Sequence, residues 1–501
     1  MPSTTAATVL APLAGVLSLV LVGSLFRKQR RNASLPPGPP GLPVIGNVLD
    51  MPSVTEWLTF SEWGSKWGGL SSVTLLGQPI VIVNSAATME QLDTRGSVFS
   101  SRPRLPMAGE LAGYDQTLVL LPYGPRFRVY RKHFAKLIGT QGVVRQFIPL
   151  VEAETHRFLK RLLLKPGGDS ISAHVRKLTG AIILRITYGI EVQEEEDPFV
   201  TLIEKANDNF NAATVPGAFL VDVFPAMLYI PEFLAPFKRT AKVWAQATKA
   251  MVEAPYLYVR SQMATGTAPV SFVSKLLESE KKLSEEEVRD IRYTASSLYG
   301  GGADTTASSL YAFFLAMVLF PDVQRKARAE LDSVIGGTRL PVYSDHETLP
   351  YVAAVVTELL RWHSVAPLGV PHAATEDSLI DGYLIPKGSI IIANLWNMLN
   401  DPETYPSPST FDPERHLTNP PQRDPRQICF GFGRRVCPGQ ELAEVSLFMC
   451  VATTLATFDI ERVGPLPVHE NTQGTISHPK PFDCMVKPRS ERAVALISGE
   501  V

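Results

Sequence analysis

The sequence predicts one large, mainly α domain carrying a small β region, and three observations support that prediction. Apolar residues recur at helical spacing from about residue 140 to residue 362. Short strand-like runs, such as 79–83 and 389–393, imply minor sheets. From Asn47 onward composition hardly shifts, with no internal repeat and no second linker, so 47–501 reads as one domain. With 501 residues, 45% hydrophobic and 19% charged, the chain is long and apolar enough for a sizeable core. A formal net charge of −1 gives no reason to expect nucleic acid as a partner.

Residues 1–5 form a short leader before an apolar run over 6–26. As a helix those residues would span ~31 Å, about the hydrocarbon thickness of a bilayer. Arg27, Lys28, Arg30 and Arg31 follow at once, whereas no Lys or Arg precedes the run. The positive-inside rule then places 1–5 in the lumen and the rest in the cytosol, as a single-pass anchor. A cleaved signal peptide is the competing reading, weakened by the missing basic start and the length of the run. Residues 27–46 form a basic, proline-rich hinge, in which Leu35-Pro-Pro-Gly-Pro-Pro-Gly41 predicts a stiff extended spacer. Cys429, Cys437, Cys450 and Cys484 are confined to the end of the chain. They make no disulfide framework and suit a reducing compartment.

Further along, the acidic run Glu194–Asp197 predicts a solvated turn. The apolar stretch 219–237, with Pro225, Pro231 and Pro236, leaves core packing as the default and a loop dipping into a bilayer as the alternative. Ser284-Glu-Glu-Glu287 is a capping box that starts a helix reaching to about Leu319. Gly300, Gly301 and Gly302 lie in its middle, each costing ~1 kcal/mol against alanine. Two readings stay open. Either neighbouring helices pack closely at the glycines, or the helix widens to leave room for a small ligand beside Thr305 Oγ1, with Asp304 relaying protons. Residues 401–425, dense in Pro, Asp and Asn, predict loop.

Cys437 stands in the run Phe430-Gly-Phe-Gly-Arg-Arg-Val-Cys-Pro-Gly439. No CxxC pair or spaced histidine points to zinc. The glycines allow tight turns and close approach to a large flat group. Pro438 and the apolar residues 442–458 predict a helix just beyond the thiol. Its dipole, with Arg434 and Arg435, favours the thiolate. A soft anionic ligand with aromatic and cationic neighbours suits an iron porphyrin, whose propionates need arginine. A buried free cysteine in a glycine turn is the bland alternative.

The pattern Phe430-x-x-Gly433-x-Arg435-x-Cys437-x-Gly439 resembles the haem-binding loop of cytochrome P-450 enzymes without a mismatch. Gly301-Gly-Ala-Asp-Thr305 resembles that family's oxygen-activating groove. Glu358-Leu-Leu-Arg361 and Phe411-Asp-Pro-Glu-Arg415 resemble its Glu–Arg–Arg triad, in which Arg415 locks onto Glu358 and Arg361 and fixes the cysteine loop. Phe127-x-x-x-Arg131 stands where the family usually has Trp-x-x-x-Arg, so Arg131 would still reach a propionate while the indole N–H is lost. Pro371-His372 falls where the family often places a propionate-binding residue, and Arg435 is expected to bind one too.

The resemblance implies a cytochrome P-450 fold with haem b (iron protoporphyrin IX) clamped between the central helix and the loop, and Cys437 as axial ligand to the iron. Asp304 and Thr305 would be the catalytic pair that delivers protons for O–O cleavage. Phe430, Gly433 and Gly439 would shape the cofactor site. No dinucleotide fingerprint is present, so electrons would come from NADPH through NADPH-cytochrome P-450 reductase, with cytochrome b5 as a second donor. The reductase would dock near Lys132, Arg426 and Arg434.

By the same resemblance the protein is an endoplasmic-reticulum membrane monooxygenase acting on a hydrophobic small molecule by hydroxylation or epoxidation. Segments 366–372 and 382–387 resemble fungal members that tailor secondary metabolites. A terpenoid is favoured over a polycyclic aromatic. Segments 101–121, 207–219, 297–305, 365–370 and 475–476 would line the pocket. A thiolate-haem isomerase or dehydratase needing no external electrons, and a non-catalytic membrane haem sensor, are the alternatives.

Overall fold

Ser284 begins the longest helix among the described residues, which in this computed structural model are 34–500 apart from 169 and 279–281. Its hydroxyl accepts the Glu287 amide at 3.2 Å while the Glu287 carboxylate accepts the Ser284 amide at 2.8 Å, as the capping box predicts. The predicted anchor over 6–26 and the basic run after it lie outside the described residues.

In chain order the elements that position the site are α1 (Glu56–Trp67), β1 (Leu70–Leu75), β2 (Gln78–Val83), α2 (Pro125–Ile138), α3 (Ile148–Leu164), α4 (Ser170–Tyr188), α5 (Pro198–Thr214) and α6 (Pro236–Ala264). Then come α7 (Glu285–Leu319), α8 (Pro350–Trp362), β3 (His372–Ala373), β4 (Ser378–Ile380), β5 (Tyr383–Ile385), β6 (Ile390–Ala393), α9 (Gln440–Thr457), β7 (Phe458–Arg462) and β8 (Cys484–Pro488). Helix α7 runs through the centre and packs most extensively against α4, with α2, α5, α6 and α9 also on it. Ser308 to Val318 are buried without a break, so this stretch is apolar nearly all round, as a helix enclosed by others must be. Length and composition would let α7 cross a membrane, but 83% of its most apolar window is buried, which makes it the core helix.

The two predicted strand runs find each other. Strands β2 and β6 pair in parallel, Ile80 opposite Ile390 and Val83 opposite Ala393, inside a four-stranded sheet ordered β1-β2-β6-β3. Two further pairs, β4–β5 and β7–β8, complete the small β region.

Three local expectations are refined. The proline segment is docked on the domain: the Pro36 and Pro37 carbonyls accept the Ser72 hydroxyl and amide, and the Pro39 carbonyl accepts Asn47 Nδ2 at 2.9 Å. The acidic run is more than a solvated turn. Glu194 pairs with the buried Arg161 of α3 at 2.8 Å, and Asp197 is the buried N-cap of α5, accepting the Phe199 and Val200 amides. The apolar stretch 219–237 is divided: Val221 is buried and Phe219, Met227, Leu228 and Phe237 pack against the same small cluster, whereas Tyr229 is 89% and Phe233 73% exposed and Leu220, Phe224 and Leu234 are also at the surface.

Candidate active site

Residues 401–425 lead into a short helix, Arg426–Cys429, and then into the cysteine loop. Gly431 and Gly433 have φ of 77° and 62°, a region where a side chain would strain the backbone. The turn closes when the Cys437 amide donates to the Phe430 carbonyl at 2.8 Å. Helix α9 begins at Gln440, and the amides of Gly439 and Gln440 point at the Cys437 sulfur. Burial pushes the thiol's pKa up; those amides and Arg131 oppose the shift. Arg434, expected beside the sulfur, turns outward instead, where it donates to the Tyr123 hydroxyl and stacks on that ring at 5.3 Å. The helping cation is therefore Arg131. Although surrounded by protein, Cys437 presents accessible surface.

Three arginines converge around this loop. Arg435 donates to the carbonyls of Ser100 (2.7 Å), Leu118 (3.0 Å) and Leu121 (2.6 Å) and lies 4.0 Å over the Phe127 ring. Phe127 thus keeps an aromatic role without an indole N–H. Arg131 donates to the Val436 carbonyl at 2.7 Å, and Arg102 to those of Val119, Val370 and Pro371. Burial and then the mutual repulsion of these cations lower Arg102 well below the usual arginine range and bring Arg435 down to about 9. Burial likewise lowers Arg131. Among the described residues no Asp or Glu pairs with any of the three. Buried like charges without a counter-charge are unfavourable, and the two propionates of a porphyrin supply what is missing. The donor set therefore fits haem: one accessible thiol and three cations lacking carboxylates.

Arg102 is a cation the sequence does not single out, since 101–121 reads only as pocket wall. Its only signal was an arginine fixed before Pro103 in a largely apolar segment. His372 Nδ1 lies 2.7 Å from the Phe99 carbonyl, and its ring stacks on Phe432 at 4.5 Å. Burial and Arg102 hold its pKa well below the usual histidine range, so the ring is neutral and donates from Nδ1. Nε2 is the nitrogen left for another group.

Across α7 the three glycines divide the two open readings between them. A Cβ on Gly302 would lie 2.5 Å from Ile183 Cδ1 of α4, which is close helix packing. Gly300 rests against Asn207, Ile203 and Met251. Gly301 is exposed in mid-helix, and a Cβ there would meet nothing within 4 Å. The helix stays α throughout, so the room comes from the missing side chain. Thr305, half-buried one turn on, donates from Oγ1 to the Gly301 carbonyl at 2.8 Å.

These contacts predict opposite effects. Gly301→Ala should stabilise the protein by up to ~1 kcal/mol through helix propensity. Gly302→Ala should destabilise it by about 1 kcal/mol, since overpacking outweighs that gain. Thermal unfolding of the two variants side by side checks this; equal shifts would mean that Ile183 simply gives way.

Asp304 is buried and faces away from Thr305, about 100° round the helix. Its carboxylate holds His478 Nε2 at 3.1 Å, Arg176 Nη1 at 3.3 Å and Asn211 Nδ2 at 3.5 Å. Burial pushes its pKa up, but His478 first, then Arg176 and Asn211, hold it below the usual aspartate value. The expected acid–alcohol pair is therefore on one helix, with each member hydrogen-bonded elsewhere.

Glu358, Arg361 and Arg415 meet as expected, and all are buried. Glu358 Oε1 accepts Arg361 Nη2 at 2.7 Å and Arg415 Nε at 3.1 Å. His416 Nε2 is 2.9 Å from Oε2, a fourth member that the sequence did not reveal.

A mainly helical fold with an accessible thiol in a glycine turn, arginines without counter-ions and a buried Glu–Arg–Arg cluster defines a haem-thiolate protein. The comparisons agree. The family model described as Cytochrome P450 matches residues 36–486. The chain is 47% identical over 498 residues to cytochrome P450 monooxygenase 208 of Postia placenta, covering 97% of this chain and 96% of the relative. It is 44% identical to cytochrome P450 monooxygenase claR of Ampulloclitocybe clavipes (96% of this chain, 91% of the relative). Against cytochrome P450 monooxygenase ppsD of Aspergillus oryzae, identity is 41% (95% of this chain, 92% of the relative). The chain belongs to the cytochrome P450 family. It is a monooxygenase, an oxidoreductase of the haem-thiolate kind.

Proposed function

We propose that this monooxygenase inserts one atom of dioxygen into an apolar small molecule, a terpenoid-type scaffold of fungal secondary metabolism, while anchored in the endoplasmic reticulum membrane. In this reading 6–26 is the anchor, 27–46 the hinge and 47–501 the catalytic domain, with electrons passed from NADPH by a cytochrome P450 reductase. The observation that carries it is the accessible Cys437 ringed by Arg102, Arg131 and Arg435 with no carboxylate among the described residues to balance them. Exposed Tyr229, Phe233 and Leu234 support a membrane-facing surface. Lys132 and Arg434 are exposed and suit a reductase contact, whereas Arg426 is engaged by Asp424 and Glu444.

Haem b, held through the Cys437 sulfur, would supply dioxygen activation and oxygen insertion into a C–H or C=C bond. The three arginines would hold the propionates by charge-assisted hydrogen bonds, His372 Nε2 would be free to join them, and Phe430, Gly433 and Gly439 shape the loop. Thr305 Oγ1, next to the open side of Gly301, holds the proton nearest the reaction. Asp304 links that helix to the exterior through Arg176 and His478, whose side chains are 28% and 15% accessible. To pass a proton inward it must exchange one of those partners for water.

Two measurements test this reading. Reconstituted with reductase, the protein should consume NADPH and dioxygen in step with a product gaining one oxygen; turnover indifferent to both would make it an isomerase. Thr305→Ala should keep NADPH consumption while product per NADPH falls about tenfold or more. Unchanged coupling would remove Thr305 from proton delivery.

A further inference from the structure

Asp304 has two charged links outward, and they are not equivalent. Arg176 Nη1 at 3.3 Å and His478 Nε2 at 3.1 Å meet the same oxygen, Oδ1, while Oδ2 keeps only the long contact of 3.5 Å to Asn211. A guanidinium does not release its proton in a protein, so Arg176 can only hold charge. An imidazole can accept a proton at one ring nitrogen and release one at the other. His478 is set up to do so. Its backbone is clamped, the amide donating to Thr472 Oγ1 at 2.9 Å and the carbonyl accepting the Thr472 amide at 2.7 Å. Nε2 is committed to Asp304, the side chain is 15% accessible, and among the described residues nothing pairs with Nδ1. The surroundings draw protons to this side. Half-buried Glu204 and exposed Asp208 of α5 lie within electrostatic reach of Asp304 and Arg176, and Asp208 also reaches His478. These two and Asp304 set three carboxylates against one permanent cation, a net negative field. From α8, the buried His363 is a further titratable group in reach of His478.

We infer that His478 is the proton shuttle that recharges Asp304 from solvent, whereas Arg176 only holds the carboxylate in place. The N–H bond at Nε2 breaks as an O–H bond forms at Asp304 Oδ1, and the neutral ring then regains a proton from bulk water. A protonated Asp304 no longer holds the Arg176 ion pair, which frees it to turn and pass the proton inward. His478 thus acts through Asp304 and touches no reacting atom. The role rests on the proposed monooxygenase reading, whose turnover takes up protons for the oxygen that leaves as water.

His478→Gln keeps an N–H for Asp304 but cannot relay a proton. The full-length, haem-loaded protein is given 7-ethoxycoumarin as an apolar probe. Its O-deethylation is driven either by NADPH, reductase and dioxygen, or by cumene hydroperoxide, which brings an O–O bond already reduced and carrying a proton. In His478→Gln the ratio of the NADPH-driven to the peroxide-driven rate should fall about tenfold or more, and the solvent deuterium isotope effect on the NADPH-driven rate should rise. Losses shared equally by the two routes, or no loss at all, would overturn the shuttle and leave His478 a prop for Asp304. A second readout needs no turnover. Diethylpyrocarbonate should acylate His478 in the resting protein and spare His363, which is 1% exposed, as read by peptide mass spectrometry. Equal protection of the two histidines would deny His478 its path to solvent. Thermal unfolding confirms that the variant is intact. Failure of the monooxygenase reading shows separately, as a wild type indifferent to NADPH and dioxygen, and the labelling result does not depend on it.

Discussion

Cys437→Ser is expected to abolish the red-shifted Soret band of the reduced carbon monoxide complex and, with it, all monooxygenase turnover. The red shift requires a thiolate on the iron, and no other thiol in this chain can stand in. Burial holds Cys429 well above the usual thiol range and pushes Cys450 and Cys484 up to about 12. Burial pushes the Cys437 thiol up as well, but there the amides of Gly439 and Gln440 and the Arg131 cation oppose the shift, and this thiol presents accessible surface. A serine hydroxyl has far too high a pKa for the same amides to ionise. The variant should still fold, because the Cys437 amide closes the turn on Phe430 through the backbone. Thermal unfolding of the apoprotein is therefore expected to change little. An unchanged Soret band would mean that the iron ligand is another residue.

Local features of this chain were legible because their causes are local. The capping box at Ser284 and the positive-φ glycines of the cysteine loop depend on neighbours a few residues away, and each lies where the sequence puts it. The family motifs extended this to Glu358 and Arg415, whose contact crosses from α8 to a distant loop. What stayed hidden depends on how several elements converge. Asp304 is read correctly as buried chemistry on α7, but its partners come from α4, α5 and the segment around residue 478. Nothing near Asp304 in sequence announces them. Arg434 and Arg435 are adjacent and chemically alike, yet one turns to Tyr123 at the surface and the other into the arginine cluster. Spacing cannot choose between them; the twist of the Gly433–Arg435 turn does. Arg102 is the clearest omission, since a charge in an apolar segment becomes informative only once its missing partner can be seen.

Glu358→Ala is expected to cost roughly 3–5 kcal/mol, enough to lose most folded protein, because it strands two buried guanidiniums. The carboxylate is the hub: Oε1 accepts Arg361, Arg415 and the Asp412 amide at 3.0 Å, and Oε2 accepts Arg361 and His416. Arg361 in turn donates to the carbonyls of Leu399 and Thr410, and Arg415 to that of Pro406. Removing Glu358 therefore loosens 401–425, the span that carries the chain to the cysteine loop. Glu358→Gln keeps the shape but not the charge, and should fall between wild type and alanine. The pH dependence has a definite sign. Burial pushes the Glu358 pKa up, but His416, Arg361 and the Asp412 amide more than offset it and hold it below the usual glutamate value. A carboxyl depressed in the folded state contributes stability above its unfolded pKa, near 4.3 or so. That contribution is lost as pH falls through the lower folded value. Thermal unfolding from about pH 7 down to about pH 3 should thus fall more steeply at its acid end in wild type than in Glu358→Gln. Parallel profiles would show that the cluster holds the loop by shape alone and that its charge contributes nothing to stability.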